Sequence, residues 1–151
     1  MVVQRETKLR NKVIQFTVSR EAKDGWMSDL VSILSLNGNY LLGIMGECGS
    51  EMSYIRFITE SPDEVRALLT VQGVYFCERE VIVVHLRNLE NLEGIFRCLK
   101  NGEVSVLYAY GLIINAESKA GIVLMVDDVV MGIEILNQSG YEIMGQNDLS
   151  R

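Results

Sequence analysis

The chain has 151 residues, of which 48% are hydrophobic, with a formal net charge of −6, one histidine and one proline. This length suits one ordinary domain or two very small ones, and the apolar content is sufficient to bury a core. The negative charge argues against a nucleic-acid partner, because such proteins present a basic face to phosphates.

No apolar run approaches the roughly 20 residues that a membrane-spanning helix requires. The first residues, MVVQRETKLRNK, are charged and lack the apolar stretch of a secretory signal. We therefore expect a cytoplasmic protein with no membrane partner. Cys48, Cys77 and Cys98 are widely spaced and form no C-x-x-C pair, which predicts reduced thiols that act as small buried hydrophobes. We expect no metal and no cofactor.

A strand and an amphipathic helix open the predicted fold. VIQFTVS, at residues 13–19, is rich in β-branched and aromatic residues and predicts a strand. After a polar loop, the apolar residues recur at the i, i+3, i+4, i+7 spacing of one helix face: Met27, Leu30, Val31 and Leu34. Gly38 is suited to the left-handed position at which helices end.

Two strands, a second helix and a fourth strand follow. YLLGIMG and SYIRFITE predict strands on either side of the turn ECGSEM. SPDEVRALL predicts a helix with Ser61 as N-cap, Pro62 at the first helical position and Glu64 completing a capping box. Gly73 ends this helix, and VYFCE predicts the next strand. The order is therefore β-α-β-β-α-β.

The second half of the chain repeats this order. A strand is predicted at EVIVVHLRN. Two further strands, EVSVLYAYGLII and GIVLMVDD, are predicted on either side of the turn NAESKA. A helix is predicted at VVMGIEILNQSG, with Asp127 or Asp128 as its cap. The spacing of the first helix recurs 65 residues later, at Leu92, Ile95, Phe96 and Leu99. Leu69 and Gly73 correspond to residues 136 and 140, a shift of 67. The pattern predicts a duplication with domains at 12–79 and 80–151.

Each βαββαβ unit predicts a ferredoxin-like α+β sandwich, in which an antiparallel sheet carries two helices on one face. The apolar runs VIVVHL and GIVLMV indicate that the other sheet face is covered as well. We expect the two sheets to pack side by side with the helices on one face, or a homodimer to supply the cover.

The chain resembles a tandem pair of ACT domains, which are small regulatory modules that bind amino acids. The ACT first loop reads like D-x-P-G-x-L and leads through an amphipathic helix to G-I-N-I. KDGWMSDLVSILSLNGNYL places Gly25 at the loop glycine, Met27 at the leucine, Gly38 at the helix-end glycine and Leu41 at the last isoleucine. SYIRFITESPDEVRALLTVQGV is similar to the third strand and second helix of the family. The resemblance covers residues 12–148 and is to small stand-alone tandem-ACT proteins that lack a catalytic domain.

Three positions depart from the family pattern. Asp24 replaces the proline before the loop glycine, and Tyr40 replaces the asparagine of G-I-N-I, although Asn39 lies beside it. In the second copy, Glu90 aligns with Gly25. If the loop must present bare backbone, the second copy has lost that ability.

The resemblance implies an amino-acid site in which N–H groups at a helix start bind the carboxylate, and carbonyl groups or acidic side chains hold the ammonium. The loop contributes Asp24, Gly25, Trp26 and Met27, with Asn39, Tyr40 and Leu41 at the same edge of the first unit and Val104, Ser105 and Val106 as the opposite wall. Trp26 would cover an apolar ligand side chain. In the alternative, Gly25 is only a turn residue and Trp26 packs between the units.

The function implied is that of a regulatory amino-acid-binding protein without catalysis, a homodimer with a regulated enzyme as partner. A structural or assembly module that has lost ligand binding is the main alternative. An acylphosphatase-like hydrolase needs a glycine-rich cradle, which SREAKDG around Arg20 lacks. An RNA-recognition module needs basic charge and exposed aromatics on one sheet face, whereas Tyr54 and Phe57 alternate. We expect His85 and Arg56 to be structural.

Overall fold

The computed structural model describes residues 12–21, 24–88, 90–114 and 119–149. The N-terminal segment 1–11, loop residues 22–23 and most of the predicted turn at 115–120 lie outside the described residues. The elements in chain order are β1 (Val13–Glu21), α1 (Trp26–Leu36), β2 (Leu41–Cys48), β3 (Met52–Thr59), α2 (Pro62–Val71), β4 (Phe76–Leu86), α3 (Asn91–Asn101), β5 (Val106–Ile113), β6 (Ala120–Val126), α4 (Val129–Gln138), β7 (Ile143–Met144) and α5 (Gln146–Leu149).

The described chain forms two compact units, with the division between Arg79 and Glu80. The first unit is Ile14–Arg79, and its strands lie in the order β2-β3-β1-β4. The second runs from Glu80 onward, together with Lys12 and Val13, with the order β5-β6-β4-β7. The pairs β1–β3, β2–β3, β4–β6, β5–β6 and β4–β7 are antiparallel. The predicted α+β class with antiparallel pairing is therefore confirmed.

The helices repeat along the chain with the two predicted shifts. α1 and α3 begin at residues 26 and 91 and end at 36 and 101, a shift of 65 at each end. α2 and α4 begin at 62 and 129 and end at 71 and 138, a shift of 67. The short helix α5 lies beyond the repeat and was not predicted from the sequence.

One strand prediction is wrong: VYFCE and EVIVVHLRN form the single strand β4. The segment Glu78–Glu80 has no turn residue, and Arg79 and Glu80 are exposed to solvent. The charged residues therefore lie in a continuous strand that is exposed to solvent, because exposed strands carry charged side chains. β4 contributes Phe76–Arg79 to the first unit and the remainder to the second.

The core of the first unit is formed by the helices packed on one face of β1 and β3. Phe16 and Phe57 are directly opposite across these strands, and their rings stack with centroids 5.5 Å apart. Such aromatic pairs contribute about 0.5–1.5 kcal/mol beyond their burial. The buried members are Phe16, Val18, Trp26, Leu30, Leu34, Ile55, Phe57, Val65 and Leu69.

The second unit has an equivalent core and a second buried face. The buried core members are Ile82, Val84, Ile95, Leu99, Val104, Ile122, Leu124, Val126 and Leu136. On the opposite face of the sheet, Val81, Val83 and Val123 are also fully buried in the single chain. The prediction that VIVVHL and GIVLMV are covered on both faces is confirmed, and these valines need no second copy of the chain to bury them.

Helices α1 to α4 end in the same Schellman motif. In each, a residue with positive φ follows the C-cap, at Gly38, Gly73, Glu103 and Gly140. The next amide donates to a fully buried leucine carbonyl, in the pairs Asn39–Leu34, Val74–Leu69, Val104–Leu99 and Tyr141–Leu136. The predicted terminal positions of Gly38 and Gly73 are therefore confirmed. Gly102 has a negative φ, so Glu103 adopts the left-handed conformation in the second unit.

Helix starts agree with the sequence only in part. Asp128 caps α4 by accepting a hydrogen bond from the Met131 amide at 3.0 Å, as predicted. The capping box at Ser61 is wrong, because the Ser61 hydroxyl makes no capping bond within the described residues. The Ser61 amide instead donates to Thr59 Oγ1 at 3.3 Å. Pro62 does occupy the first turn.

The cysteines are less buried than predicted. All three are unpaired, but Cys48 and Cys77 are exposed and only Cys98 is half-buried. Cys48 lies at the end of β2, where the last three residues are all exposed. Cys77 lies in the solvated part of β4, where strand alternation turns its side chain outward. Among the helices that the structure describes, none is long and apolar enough to cross a bilayer.

Candidate functional site

The loop before α1 depends on a glycine. Gly25 has φ 81° and ψ −5°, and its carbonyl oxygen accepts the first helical hydrogen bond, from the Asp29 amide at 3.0 Å. A Cβ atom placed on Gly25 would meet no atom within 4 Å. The glycine is therefore required by its dihedral angles and not by crowding, and open space lies beside its backbone. Asp24 precedes it in the turn with an exposed side chain.

The second copy has Glu90 at the position that aligns with Gly25. Glu90 starts α3 with φ −66° and ψ −22°, which is ordinary right-handed backbone that any L-residue adopts. The two loops therefore approach their helices with different dihedral angles. The second loop does not reproduce the conformation of Gly25.

Trp26 is a core residue of the first unit. It is 5% exposed and packs with the buried residues of its own unit. The fully buried residues of α1 are Trp26, Leu30 and Leu34, and Met27, which the spacing placed on the same face, packs against this core. Met27 is half-buried, and a Cβ at Gly46 would lie 2.8 Å from its sulfur, so Met27 fills the space above β2 that this glycine leaves open.

A cleft of about 380 Å³ opens beside Trp26 within the first unit. Its walls come from the end of β1, one face of α1 and the turn after α2, with residues Val18–Arg20, Trp26, Asp29, Leu30, Ile33 and Gln72–Tyr75. Neither Arg20 nor Asp29 forms an ion pair among the described residues. The sequence placed Arg20 after the first strand but gave no sign of this cleft.

Asn39 is a buried polar residue of the first unit whose side-chain oxygen has no partner among the described residues. It is 5% exposed, and its Nδ2 group donates to the Asn37 carbonyl oxygen at 3.4 Å. Its Oδ1 atom is buried and, among the described residues, accepts no hydrogen bond. The equivalent residue of the second unit is Val104, which packs into the core at 4% exposure. Leaving a buried acceptor unpaired costs about 1–3 kcal/mol.

The neighbours of Asn39 are more open. Tyr40 is 58% exposed, and Leu41 is half-buried at the first position of β2, opposite Thr59 on β3. The buried acceptor therefore lies directly beside an exposed aromatic ring in sequence.

The predicted residues of the second unit are occupied by internal contacts. The Ser105 amide donates to Asp127 Oδ1 at 2.9 Å, and the Asp127 amide donates to the Ser105 carbonyl oxygen at 3.1 Å. The backbone groups of Ser105 are thus already satisfied. A shallow depression of about 580 Å³ runs past Val104, Ser105 and Val106 to Lys100 and Phe96.

The first unit keeps the predicted site residues in two places. α1 has 11 residues, so at about 1.5 Å per residue it holds the Gly25 loop and the Asn39 turn roughly 16 Å apart. Met27 faces β2 at Gly46, whereas Asn39, Tyr40 and Leu41 form the turn into the start of that strand. Val104, Ser105 and Val106 belong to the second unit.

Two residues expected to be structural have partners that the sequence did not reveal. His85 Nδ1 lies 2.9 Å from Glu142 Oε2, and the His85 amide donates to the Glu142 carbonyl oxygen. Arg56 pairs with Glu47 across β2 and β3 at 3.3 Å and lies over the Tyr54 ring at 5.7 Å. Residues this far apart in sequence meet only through strand pairing, so spacing gives no signal. No group of described side chains could hold a metal ion.

Neither family models nor curated protein sequences match the chain. Its fold is nevertheless shared with proteins of solved structure. A protein from Bacteroides thetaiotaomicron is 17% identical, with TM-score 0.83 over 94% of this chain and 98% of the other. The ligand-free regulatory subunit of aspartate kinase from Thermus thermophilus is 8% identical, with TM-score 0.58 over 87% and 94%. The same subunit from Thermus flavus gives TM-score 0.52 at 8% identity over 86% and 93%.

These likenesses establish the fold. Nearly the full length of each compared chain is covered, so the likeness extends over the described part of both compact units. The chain therefore has the α+β fold found in the regulatory subunit of aspartate kinase and, at a higher TM-score, in the Bacteroides thetaiotaomicron protein.

Proposed function

We propose that the chain is a tandem ACT-type protein that binds an amino acid and acts as a regulator without catalysis. The strand orders 2-3-1-4 in the first unit and 5-6-4-7 in the second support two ferredoxin-like units, at 12–79 and 80–151. The fold shared with the aspartate kinase regulatory subunit supports a regulatory role with an enzyme as partner. Function is carried by the site and not by the fold, so the residues must supply the remaining argument.

The observation that carries the proposal is the buried, unpaired Oδ1 of Asn39. Its Nδ2 group donates to the Asn37 carbonyl oxygen at 3.4 Å, and Oδ1 is left as a buried acceptor without a partner among the described residues. A free amino acid brings an ammonium group, whose N–H donors form charge-assisted bonds that are about twice as strong as neutral ones. Val104, the matching residue of the second unit, has no polar atom in its side chain.

We place one site in each chain, in the first unit. Gly25 keeps an open backbone at the start of α1, whereas Glu90 has ordinary helical dihedrals. Asn39 offers an acceptor, whereas Val104 does not. Ser105 has its backbone groups bonded to Asp127. The second unit therefore lacks the acceptor on which the proposed site rests. Gly25 lies roughly 16 Å from Asn39, at the other end of α1, so it is not a contact of the same ligand.

The test is a thermal-shift screen of the standard amino acids on three proteins. The wild-type chain should gain stability with at least one amino acid, by about RT ln(1 + [L]/Kd). Asn39→Val, which copies the second unit, should lose that gain. Asn37→Ala is the matched control, because Asn37 is exposed and contacts Asn39 only through its backbone. If the control and Asn39→Val lose the gain equally, Asn39 is not the contact.

A structural or assembly module remains the second candidate. The burial of Trp26 in its own core favours it, because the side chain already occupies space that a loop ligand would need. This candidate predicts no thermal shift with any amino acid. Both candidates predict a homodimer, so light scattering on a sizing column should give twice the 17.0 kDa chain mass. A measured mass of one chain would contradict the homodimer that both candidates predict.

A further inference from the structure

We infer that the outer edge of β5 is a docking surface for β5 of a second copy of this chain, in an antiparallel pair centred on Tyr110. The inference rests on the homodimer of the proposed function and assigns its interface. β5 lies at one side of the sheet of the second unit, and among the described strands it pairs with β6 alone. Alternate backbone N–H and C=O groups of β5 therefore point away from β6, where a further strand can pair with them.

β5 carries no charge and no proline, the residue types that commonly keep edge strands from pairing with other chains. Its sequence is VLYAYGLI, and its large apolar residues Leu107 and Ile113 are 60% and 57% exposed. A β-bulge lies at its start, between Val106 and Tyr108, and from Tyr108 onward the strand keeps a regular register with β6. The edge therefore offers a regular, apolar strand to a partner.

The two exposed apolar residues define the register of the proposed pair. When two identical strands pair about a twofold axis, residue i faces residue j of the partner, and residue j faces residue i. A pair centred on Tyr110 places Leu107 opposite Ile113 of the partner subunit, and the reverse contact forms at the other end. The small residues Ala109 and Gly111 face each other between these contacts. Each exposed large side chain is then covered, twice in the dimer.

β2, the corresponding edge strand of the first unit, is less suited to such a pair. The two strands correspond with a shift of 65 residues, so Gly46 of β2 matches Gly111 of β5. A Cβ atom on Gly46 would lie 2.8 Å from the Met27 sulfur, whereas a Cβ atom on Gly111 would meet no atom within 4 Å. β2 also carries the charged residue Glu47. Open backbone and the absence of charge therefore favour β5 as the interface.

An exchange of charges tests this register. Leu107→Lys and Ile113→Glu each place a charge opposite an apolar side chain, so each should raise the dissociation constant of the dimer by about tenfold or more. The double variant Leu107→Lys/Ile113→Glu sets opposite charges against each other across the interface, so it should dimerise about tenfold more tightly than either single variant. Leu107→Lys/Ile113→Lys should show no recovery. The two positions of one chain lie about 20 Å apart along β5, so the recovery has to come from contacts between chains.

Light scattering on a sizing column over a dilution series gives the dissociation constants. Circular dichroism checks that the variants fold as the wild type does, which we expect because both side chains are exposed. Ile44→Lys is the matched control, because it places the same charge on β2 at a residue that is 43% exposed, and it should leave the dimer unchanged.

The interface is contradicted if either single variant dimerises as the wild type does or if the Lys/Glu double variant shows no recovery. Dissociation of Ile44→Lys to the same extent as Leu107→Lys would also contradict it. A wild-type chain that is a monomer overturns the interface together with the homodimer. Leu107→Lys should keep the thermal shift with amino acids, because Asn39 lies in the first unit. Failure of ligand binding and failure of this interface are therefore separate results.

Discussion

The Asn39 amide donates to the Leu34 carbonyl oxygen at 3.1 Å, and in the second unit Val104 makes the same bond to Leu99 at 2.9 Å. Both amides follow a residue with positive φ, and both leucines are fully buried. The backbone of the two turns is therefore the same, and the side chain that it places inside the unit differs. An unpaired amide oxygen stands in one unit where a methyl group stands in the other.

Exchanging these two side chains tests the cost of the unpaired oxygen. Asn39→Val should raise the free energy of unfolding by about 1 kcal/mol, because a buried acceptor without a partner is replaced by an apolar group of similar size. Val104→Asn should lower it by about 2 kcal/mol, since it places an amide among apolar side chains. Urea unfolding of both variants measures the effect. Equal destabilisation by the two changes would show that Oδ1 is satisfied in solution.

Replacing Glu103 by glycine should stabilise the protein. The φ of Glu103 is 59°, whereas the corresponding positions of α1, α2 and α4 carry glycine. Glu103→Gly should raise the free energy of unfolding by about 0.5–1 kcal/mol, because a side chain in this region costs about 1–2 kcal/mol of strain that glycine avoids, less its larger unfolded-state entropy. Gly38→Ala should lower it by a similar amount. A thermal midpoint that falls in Glu103→Gly would contradict the assignment.

The ion pair between α2 and β4 should contribute measurably. Arg66 contacts both carboxylate oxygens of Glu78, through Nε at 2.9 Å and Nη2 at 2.5 Å, and also Asp63 at 2.7 Å. These carboxylates raise the pKa of Arg66, chiefly through the bonds to Glu78.

Arg66→Met should lower the free energy of unfolding by about 0.5–1 kcal/mol, a modest value because Arg66 is 40% exposed and solvent screens the pair. Arg97→Met is the control. In the described part of the chain, Arg97 forms its ion pair with the exposed Glu93 on the same helix, so its removal should leave the midpoint unchanged. Equal effects of the two substitutions would show that the paired contacts with Glu78 add nothing.

Trp26 should behave as a core residue in stability measurements. Trp26→Ala should cost about 3 kcal/mol or more, since it leaves a cavity among Leu30, Leu34 and their neighbours. Tyr40→Ala is the comparison, because that ring is 58% exposed and its removal opens no cavity. Chemical unfolding of both variants gives the difference. A cost near zero for Trp26→Ala would mean that the indole leaves the core in solution.

The sequence predicted the helices best, because their signals are local. Apolar spacing and the terminal glycines placed α1 and α2, and the 65- and 67-residue shifts carried both to α3 and α4. β4 was split in error because solvated charge at Glu78–Glu80 resembles a turn when only neighbours in sequence are considered.

The site was predicted less well, because its features depend on packing. Asn39 was proposed from its place beside the family motif, but burial of its oxygen arises from the Schellman turn. Trp26 was proposed as a ligand cover or as a contact between the units, and it packs in the core of its own unit, since its spacing to Leu30 and Leu34 also fits one helix face. The bonds between Ser105 and Asp127 join residues 22 apart and have no local signal.

The most direct test of amino-acid binding follows the amide resonances of Asn39 by NMR while each standard amino acid is added at about 10 mM. The account predicts that at least one amino acid shifts the side-chain amide of Asn39 and the backbone amide of Tyr40, and that the amide of Val104 does not move. If the Asn39 resonances stay unchanged with every amino acid, Asn39 is not a ligand contact and the central claim is contradicted.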